Sequence, residues 1–426
     1  MREEFIHFLW RYRLFNTTEL KTTNGMPLQI IHTGSTNKDA GPDFSAAQVR
    51  IDDTLWAGNV EIHINSSDWF KHGHQHDDAY QNIILHVVFN HDKEITDQRG
   101  NQVPVLEIRN CYDPSLLKKY ESIIGARSWI PCAGFIQHTD RLIIMNWLSR
   151  LLVERLENRS EETLKFLHYF GNSWEQTFYY FLARNFGFKV NASPFALLAQ
   201  KTPLTILAKH RDDLTSIEAL LFGQAGLLNK DFTDAYPALL QKEYEFFKHK
   251  YQLTPIDGAL WKFGKLRPSN FPTLRIAQFA RLIYQSSHLF SKTLEAQSFS
   301  DIKKLFVIKC SPYWKNHYQF DKPSSAKDKN LGESAVLNIS INTIAPLKFV
   351  YGSESLQPAY KELAVGLLSE LPPEENTIIR KWRELGIKPA NAADSQALLE
   401  LKKYYCTPKK CLSCAIGHNL IKNNMT

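Results

Sequence analysis

The sequence predicts an α/β (α+β) domain at the N-terminal end of the chain, followed by a large and mostly α-helical region. Residues 60–64 alternate strictly between apolar and polar side chains, as in a strand with one buried face. Residues 83–89 form a nearly continuous apolar run, which is typical of a strand buried on both faces. Beyond residue 139 the apolar side chains recur at helical spacing. The expected divisions are a first domain at 1–115, a linker at 116–138 and a helical region at 139–426.

Each element of the first domain has its own signal in the sequence. Apolar side chains at helical spacing predict a helix over residues 3–14, and Asp52-Asp53 predicts a turn between two strands. The expected strands are residues 28–32, 47–51, 60–64, 83–89 and 103–108. In the helical region, Asp140 is expected to cap a helix that runs to Leu156, and Gly187 to end a helix over 174–186.

The composition is that of a folded soluble protein, because 43% of the 426 residues are apolar. Six cysteines in this length do not suggest a disulfide framework, so we expect a reducing compartment. The acidic start Met1-Arg2-Glu3-Glu4 lacks the apolar core of a signal peptide, and no apolar run is long enough to span a bilayer. The sequence therefore predicts a cytoplasmic protein with no membrane partner.

Charge is distributed unevenly along the chain. Residues 1–110 contain 10 Lys or Arg and 15 Asp or Glu, whereas the remaining residues contain 41 and 29. An acidic region suits cations, and a basic body suits phosphates. The alternative for the basic part is a charge excess that only keeps the protein soluble.

Two acidic residues of the first domain have the spacing of a metal-dependent nuclease motif. Seventeen residues separate Asp43, which follows Pro42, from Glu61 in Glu61-Ile62-His63. Two carboxylates at adjacent strand ends can hold Mg²⁺ or Mn²⁺ and leave positions open for water and a phosphodiester. The pattern resembles PD-(D/E)XK nucleases, a likeness that implies a mixed sheet with flanking helices and Asp43 and Glu61 as ligands. His63 replaces the motif lysine and could act as a base. The alternative for Asp43 is a turn residue.

Histidines crowd the same part of the chain, since residues 1–110 contain eight of the fifteen. Imidazole mixed with carboxylate suits Zn²⁺, Mn²⁺ or Fe²⁺. We expect metal ligands at His72, His74 and His86, either in a second site or in one mixed site with Glu61. The alternatives are a solvated polar loop, which suits His76 and His91, and a core histidine, which suits His86. Trp69 and Tyr80 flank this cluster and could stack on a base or belong to the core.

Half of the cysteines lie near the end of the chain, at Cys406, Cys411 and Cys414. Thiolates at such spacing bind Zn²⁺ or an iron–sulfur cluster, and the interval resembles three ligand positions of plant-type ferredoxins. The candidates for a fourth ligand are Cys132, which we favour, and Cys111, Cys310 and His418. The alternative is a set of buried thiols in a packed terminal helix. Some PD-(D/E)XK nucleases hold an iron–sulfur cluster with one remote and three clustered cysteines.

Nearly the full length of the chain resembles a bacterial family catalogued as domain of unknown function 2851. The matching segments are GPDF, VEIH, SSDW, LHVV, IEALLFGQAGLL, RPSNFP, DSQALLELK and YYCTPKKCLSCAIG. No activity is assigned to that family, so this resemblance implies no catalytic residues.

These observations predict a metal-dependent phosphodiesterase or nuclease that acts on DNA or RNA. The expected catalytic residues are Asp43, Glu61 and His63, and the expected cofactor is Mg²⁺ or Mn²⁺, with Zn²⁺ as an alternative. One alternative function is a non-catalytic nucleic-acid-binding or scaffold protein with a degenerate nuclease fold. The other is a histidine-ligated metalloenzyme that acts on a small molecule.

Overall fold

The contacts of the computed structural model, which describes residues 1–37 and 39–423, divide the chain into two units. The first unit is Met1–Trp147 together with Leu401–Thr426, and the second is Leu148–Glu400. This division differs from the expected boundaries at two places. The segment expected to be a linker contains a helix and belongs to the first unit. The cysteine-bearing tail also belongs there, because its last helix packs against elements of that unit.

The first unit contains a mixed sheet, as the sequence predicts. Its strands are β1 Leu28–His32, β2 Ser35–Thr36, β3 Phe44–Ile51, β4 Thr54–Asn65, β5 Ile83–Asn90 and β6 Val105–Glu107. The sheet order is β1-β3-β4-β5-β6, and β2 pairs with β3. The pairs β1–β3, β2–β3 and β3–β4 are antiparallel, whereas β4–β5 and β5–β6 are parallel.

Local sequence explains the turn between β3 and β4 and the burial of β5. Asp52 has a φ of 52° in the turn between β3 and β4, a conformation that Asp tolerates better than most residues. Strand β5 lies between two parallel neighbours, and its residues 84–88 are buried. The expectation of a strand buried on both faces is therefore confirmed.

Three helices accompany the sheet in chain order: α1 Glu3–Tyr12, α2 Asp68–Lys71 and α3 Pro114–Gly125. The apolar stripe of α1 is buried at Phe5, Ile6 and Leu9, as its periodicity predicts. Helix α3 begins with proline at its first position, and the Asp113 carboxylate accepts the Ser115 N–H. Helix α1 precedes the first strand, α2 lies between β4 and β5, and α3 follows the last strand.

The second unit is helical apart from one short antiparallel hairpin, β7 His317–Gln319 and β8 Lys322–Pro323. The helices that follow α3 are α4 Arg141–Tyr169, α5 Trp174–Phe186, α6 Ala192–Lys201, α7 Leu204–Ala208, α8 Leu214–Gln224, α9 Ala235–Tyr251, α10 Pro272–Gln285, α11 Leu289–Glu295, α12 Phe299–Leu305, α13 Glu333–Ile339, α14 Ala345–Glu354, α15 Pro358–Glu370, α16 Thr377–Glu384 and α17 Ala392–Glu400. A π-helical segment, Leu401–Cys406, and the last helix, α18 Ala415–Lys422, return to the first unit.

The expected helix boundaries at Asp140 and Gly187 are confirmed. The Asp140 carboxylate accepts the Leu142 N–H at 2.7 Å, although α4 continues past the expected end at Leu156 to Tyr169. Helix α5 ends with Gly187 as its C-terminal cap. In the part of the chain that the structure describes, no helix has the length and apolar character needed to cross a membrane.

Candidate metal centre

Asp43 and Glu61 are joined by a reciprocal pair of hydrogen bonds between neighbouring strands. Asp43 directly precedes β3, and Glu61 lies in the antiparallel strand β4. The Asp43 N–H donates to Glu61 Oε2 at 3.1 Å, and the Ile62 N–H donates to Asp43 Oδ2 at 2.9 Å. The two carboxylates, eighteen positions apart, are thereby held beside each other by the backbone of the sheet.

The surroundings of this pair disfavour two negative charges. The Glu61 side chain is only 6% exposed, and that of Asp43 is 25% exposed. Burial, followed by the nearby charge of Glu61, raises the pKa of Asp43 to about 8. A bound cation would offset that repulsion, so the pair suits an ion between or beside the two side chains.

His63 lies between two other rings of the histidine cluster. Its Nδ1 lies 2.8 Å from His86 Nε2, and its Nε2 lies 3.0 Å from His72 Nδ1. His86 is the register partner of Glu61 on β5, so the pleat places His63, Glu61 and His86 on one face of the sheet. Burial lowers the pKa of His63 to about 3, and also lowers the pKa of His86. Both rings are therefore neutral, the form that binds metals.

A covering segment, residues 66–80, brings the remaining histidines over this face. His74 Nε2 lies 3.3 Å from Glu61 Oε1, and the His74 ring stacks on Tyr80 with ring centroids 3.9 Å apart. The Trp69 indole contacts His74 edge-on and is fully buried, and its N–H donates to the Thr96 carbonyl. Trp69 and Tyr80 are thus core residues of this segment, and they hold His74 in place.

Three imidazole nitrogens and one carboxylate oxygen converge here in an arrangement that could hold a metal ion. The ligand atoms of His63, His72 and His74 all lie within 4.8 Å of one another. Glu61 Oε1 lies 3.6 Å from His63 Nε2 and 3.3 Å from His74 Nε2. His74 Nε2 is buried and has no hydrogen-bond partner. A metal ion bound to this nitrogen would give it the partner that buried polar atoms normally have. This donor set fits a first-row divalent ion.

The centre is open to solvent on one side. His72 is exposed, whereas His63 and Glu61 are buried beneath it. The residues that would hold an ion therefore reach solvent at His72. His86, which was expected to be a ligand, is not in the group of three histidines whose nitrogens converge; its Nε2 instead lies 2.8 Å from His63 Nδ1 and fixes the orientation of that ring.

The structure separates other predicted residues from the centre. His91 lies 3.2 Å from Glu94 at the surface, and His76 is exposed, as expected for a solvated loop. Lys71, the nearest lysine in the sequence, pairs with Asp68 at 2.5 Å and is exposed. It is therefore engaged elsewhere and does not take the place of the motif lysine.

One site residue, His7, was missed by the sequence reasoning. Its Nε2 lies 3.4 Å from Asp43 Oδ2, and burial lowers its pKa to about 4. The signal was present, because His7 is a polar residue inside the apolar stripe of α1, but helical periodicity does not show what that position faces. The neutral ring lies beside the Asp43 carboxylate, and its buried Nε2 makes no hydrogen bond.

A cavity of about 170 Å³ lies beside His7 in the first unit. Its walls include two cationic side chains, Arg11 from α1 and Lys410 from the tail, together with the aromatic rings of Tyr12 and Phe44. The Glu4 carboxylate also lines the cavity, so its walls carry charges of both signs.

Comparison with known proteins identifies a family but no activity. The sequence pattern of a family described as protein of unknown function (DUF2851) matches residues 3–377. No curated protein and no solved structure matches the chain closely enough to show a relationship.

Proposed function

The chain belongs to the DUF2851 family of proteins of unknown function, and we propose that its metal centre hydrolyses phosphodiester bonds in nucleic acid. One observation carries this proposal. Glu61 Oε1 and the nitrogens of His63, His72 and His74 converge beside Asp43, whose carboxylate is held by the backbone of the next strand.

Each residue of the centre would have its own role. Glu61, His63, His72 and His74 would hold the ion, and the donor set favours Mn²⁺ or Zn²⁺ over Mg²⁺ because Mg²⁺ prefers oxygen ligands. When bound, such an ion lowers the pKa of a water towards neutrality and offsets negative charge that develops on phosphorus. Asp43, whose carboxylate accepts the Ile62 N–H, supplies a second carboxylate at the edge of the centre.

The residues that line the cavity support nucleic acid as the class of substrate. Arg11 and Lys410 line the cavity that His7 also lines, and His7 contacts Asp43. Guanidinium and ammonium groups bind phosphate oxygens, so these two side chains could hold the backbone of a nucleic acid that reaches the centre.

The arrangement of elements also agrees with the resemblance to PD-(D/E)XK nucleases. A helix, α1, precedes the sheet, the two acidic residues lie at neighbouring strands β3 and β4, and a parallel strand, β5, completes the centre. The place of the motif lysine is taken by His63, which is buried and neutral.

That substitution supports a second candidate, a protein that binds metal and nucleic acid without cleaving it. A neutral imidazole cannot stabilise developing negative charge as an ammonium can. Metal binding and nucleic-acid binding without turnover would favour this second candidate over the first.

The test is cleavage of end-labelled single-stranded DNA, duplex DNA and RNA with Mn²⁺, Zn²⁺ or Mg²⁺. We expect Glu61→Gln and Asp43→Asn to lower the rate by about 100-fold or more, since loss of a supporting partner alone costs about 10- to 100-fold. Glu94→Gln is the matched control, because Glu94 pairs with a histidine outside the centre. Cleavage that survives both substitutions would reject the assignment.

A further inference from the structure

Four cysteines from three separate stretches of the chain meet in the first unit. Cys132 lies just before the 3₁₀ turn Ile136–His138, Cys406 ends the π-helical segment, Cys411 begins the 3₁₀ turn Cys411–Ser413, and Cys414 caps α18. Helix α18 packs against the turn that follows Cys132, and the π-helical segment packs against the turn that contains Cys411. The tail therefore gathers around Cys132.

The four thiols form a buried group without any disulfide. Each side chain is less than 10% exposed, and all four cysteines are free. Burial raises the pKa of Cys132 to about 12, and the charges of Cys414 and Cys411 contribute to that rise. Burial and the charges of the other three cysteines likewise raise the pKa of Cys406. Mutual influence of this kind requires the sulfurs to be near one another.

Cys414 has donors that stabilise a thiolate. Cys414 is the N-terminal cap of α18, so the backbone N–H groups of Ile416 and Gly417 in the first turn of that helix lie next to its sulfur. Burial raises the pKa of this thiol, and the two N–H groups oppose that rise.

The two other cysteines are engaged elsewhere. The thiol of Cys111 lies 3.6 Å from the Glu107 carbonyl, and Cys310 lies in the second unit, 3.6 Å from the Lys329 carbonyl. The His418 ring stacks on Tyr12 with centroids 4.0 Å apart, and its buried Nε2 makes no hydrogen bond. Cys132, the ligand favoured from the sequence, is the one that the fold brings to the other three.

The interval between the tail cysteines favours a cluster over a single ion. Cys406, Cys411 and Cys414 have the C-x4-C-x2-C spacing of plant-type ferredoxins, and Cys132 supplies the remote fourth thiol that such a cluster needs.

We propose that Cys132, Cys406, Cys411 and Cys414 bind an iron–sulfur cluster. The proposal does not depend on hydrolysis, because it rests on the thiols and their spacing. It has a consequence for the neighbouring cavity. Lys410, Leu412 and Ser413, which lie between the cysteines, line that cavity, so the cluster would hold this wall in place.

The test is anaerobic purification of the full chain, reconstitution with ferrous iron and sulfide, and measurement of iron, acid-labile sulfide, zinc and Mössbauer spectra. We expect iron and acid-labile sulfide in equal amounts in the unaltered protein, and the Mössbauer spectrum gives the number of irons per cluster. Cys132→Ser should lose most of both, whereas Cys111→Ser and Cys310→Ser should retain them.

Two results would overturn the proposal. One is zinc without acid-labile sulfide in the reconstituted unaltered protein, which would indicate a single-ion site. The other is an unchanged iron and sulfide content in Cys132→Ser. If Cys132→Ser does not fold, the composition and Mössbauer spectrum of the unaltered protein decide the question, and neither measurement requires nucleic acid.

Discussion

Gly417→Ala tests whether close packing of the tail is needed for the cysteine site. A Cβ at position 417 would overlap the carbonyl oxygen of Cys411 and lie 2.9 Å from its carbonyl carbon. Ordinary carbon–carbon contacts are about 3.5–4.0 Å, so α18 and the Cys411 turn must separate by at least about half an ångström. Such overpacking costs about 1–3 kcal/mol. We also expect the separation to lower the iron content of the reconstituted protein.

Gly366→Ala is the matched control, because Gly366 lies in helix α15 and a Cβ there meets no atom within 4 Å. That variant should gain about 0.5–1 kcal/mol from helix propensity and leave the iron content unchanged. Since both substitutions replace a helical glycine by alanine, the difference between them isolates the overpacking. The measurements are denaturant unfolding and iron analysis. A Gly417→Ala protein that is as stable as the unaltered chain and binds as much iron would refute the argument.

Three further predictions concern the second unit, the metal centre and the cavity. Burial raises the pKa of Glu218 from 4.5 to about 7. Between these two pH values the folded protein keeps a proton that the unfolded chain releases. The free energy of unfolding therefore falls by about 3 kcal/mol as the pH rises from 4.5 to 7. Glu218→Gln should remove this fall, as measured by urea unfolding across the interval; an unchanged pH dependence would contradict it. His74→Ala should weaken Mn²⁺ binding by about 10- to 100-fold in calorimetric titration, whereas His91→Ala should not, and equal losses in the two would argue against the ligand set. Lys410→Ala should reduce the slope of log affinity for DNA against log salt by about one, and an unaltered slope would remove Lys410 from the interface.

The two proposed sites are linked by helix α1. His7 contacts Asp43 at the metal centre, whereas Phe8 and Tyr12 pack against the His418 ring of α18. One helix of ten residues thus contacts both the acidic pair and the cysteine-bearing tail. Loss of the cysteine site is therefore expected to disturb the cavity wall more than it disturbs the histidines of the metal centre.

The sequence by itself determined the features that depend on local periodicity. Alternation along β4 showed that Glu61 and His63 share a face, because successive side chains of a strand point in opposite directions. The apolar run at β5 showed a strand buried on both sides, and the spacing of Cys406, Cys411 and Cys414 identified a potential metal-binding tail. These signals lie within about a dozen consecutive residues, the range over which backbone geometry fixes relative orientation.

Only the tertiary structure decided which distant groups meet. It placed His7 against Asp43, His74 over Glu61, and Cys132 with a tail more than 270 positions away. It also assigned the tail to the unit that contains the sheet. Periodicity shows which way a side chain points from its own element. What it contacts depends on how elements pack, which is set by burial of apolar surface summed over many residues far apart in sequence.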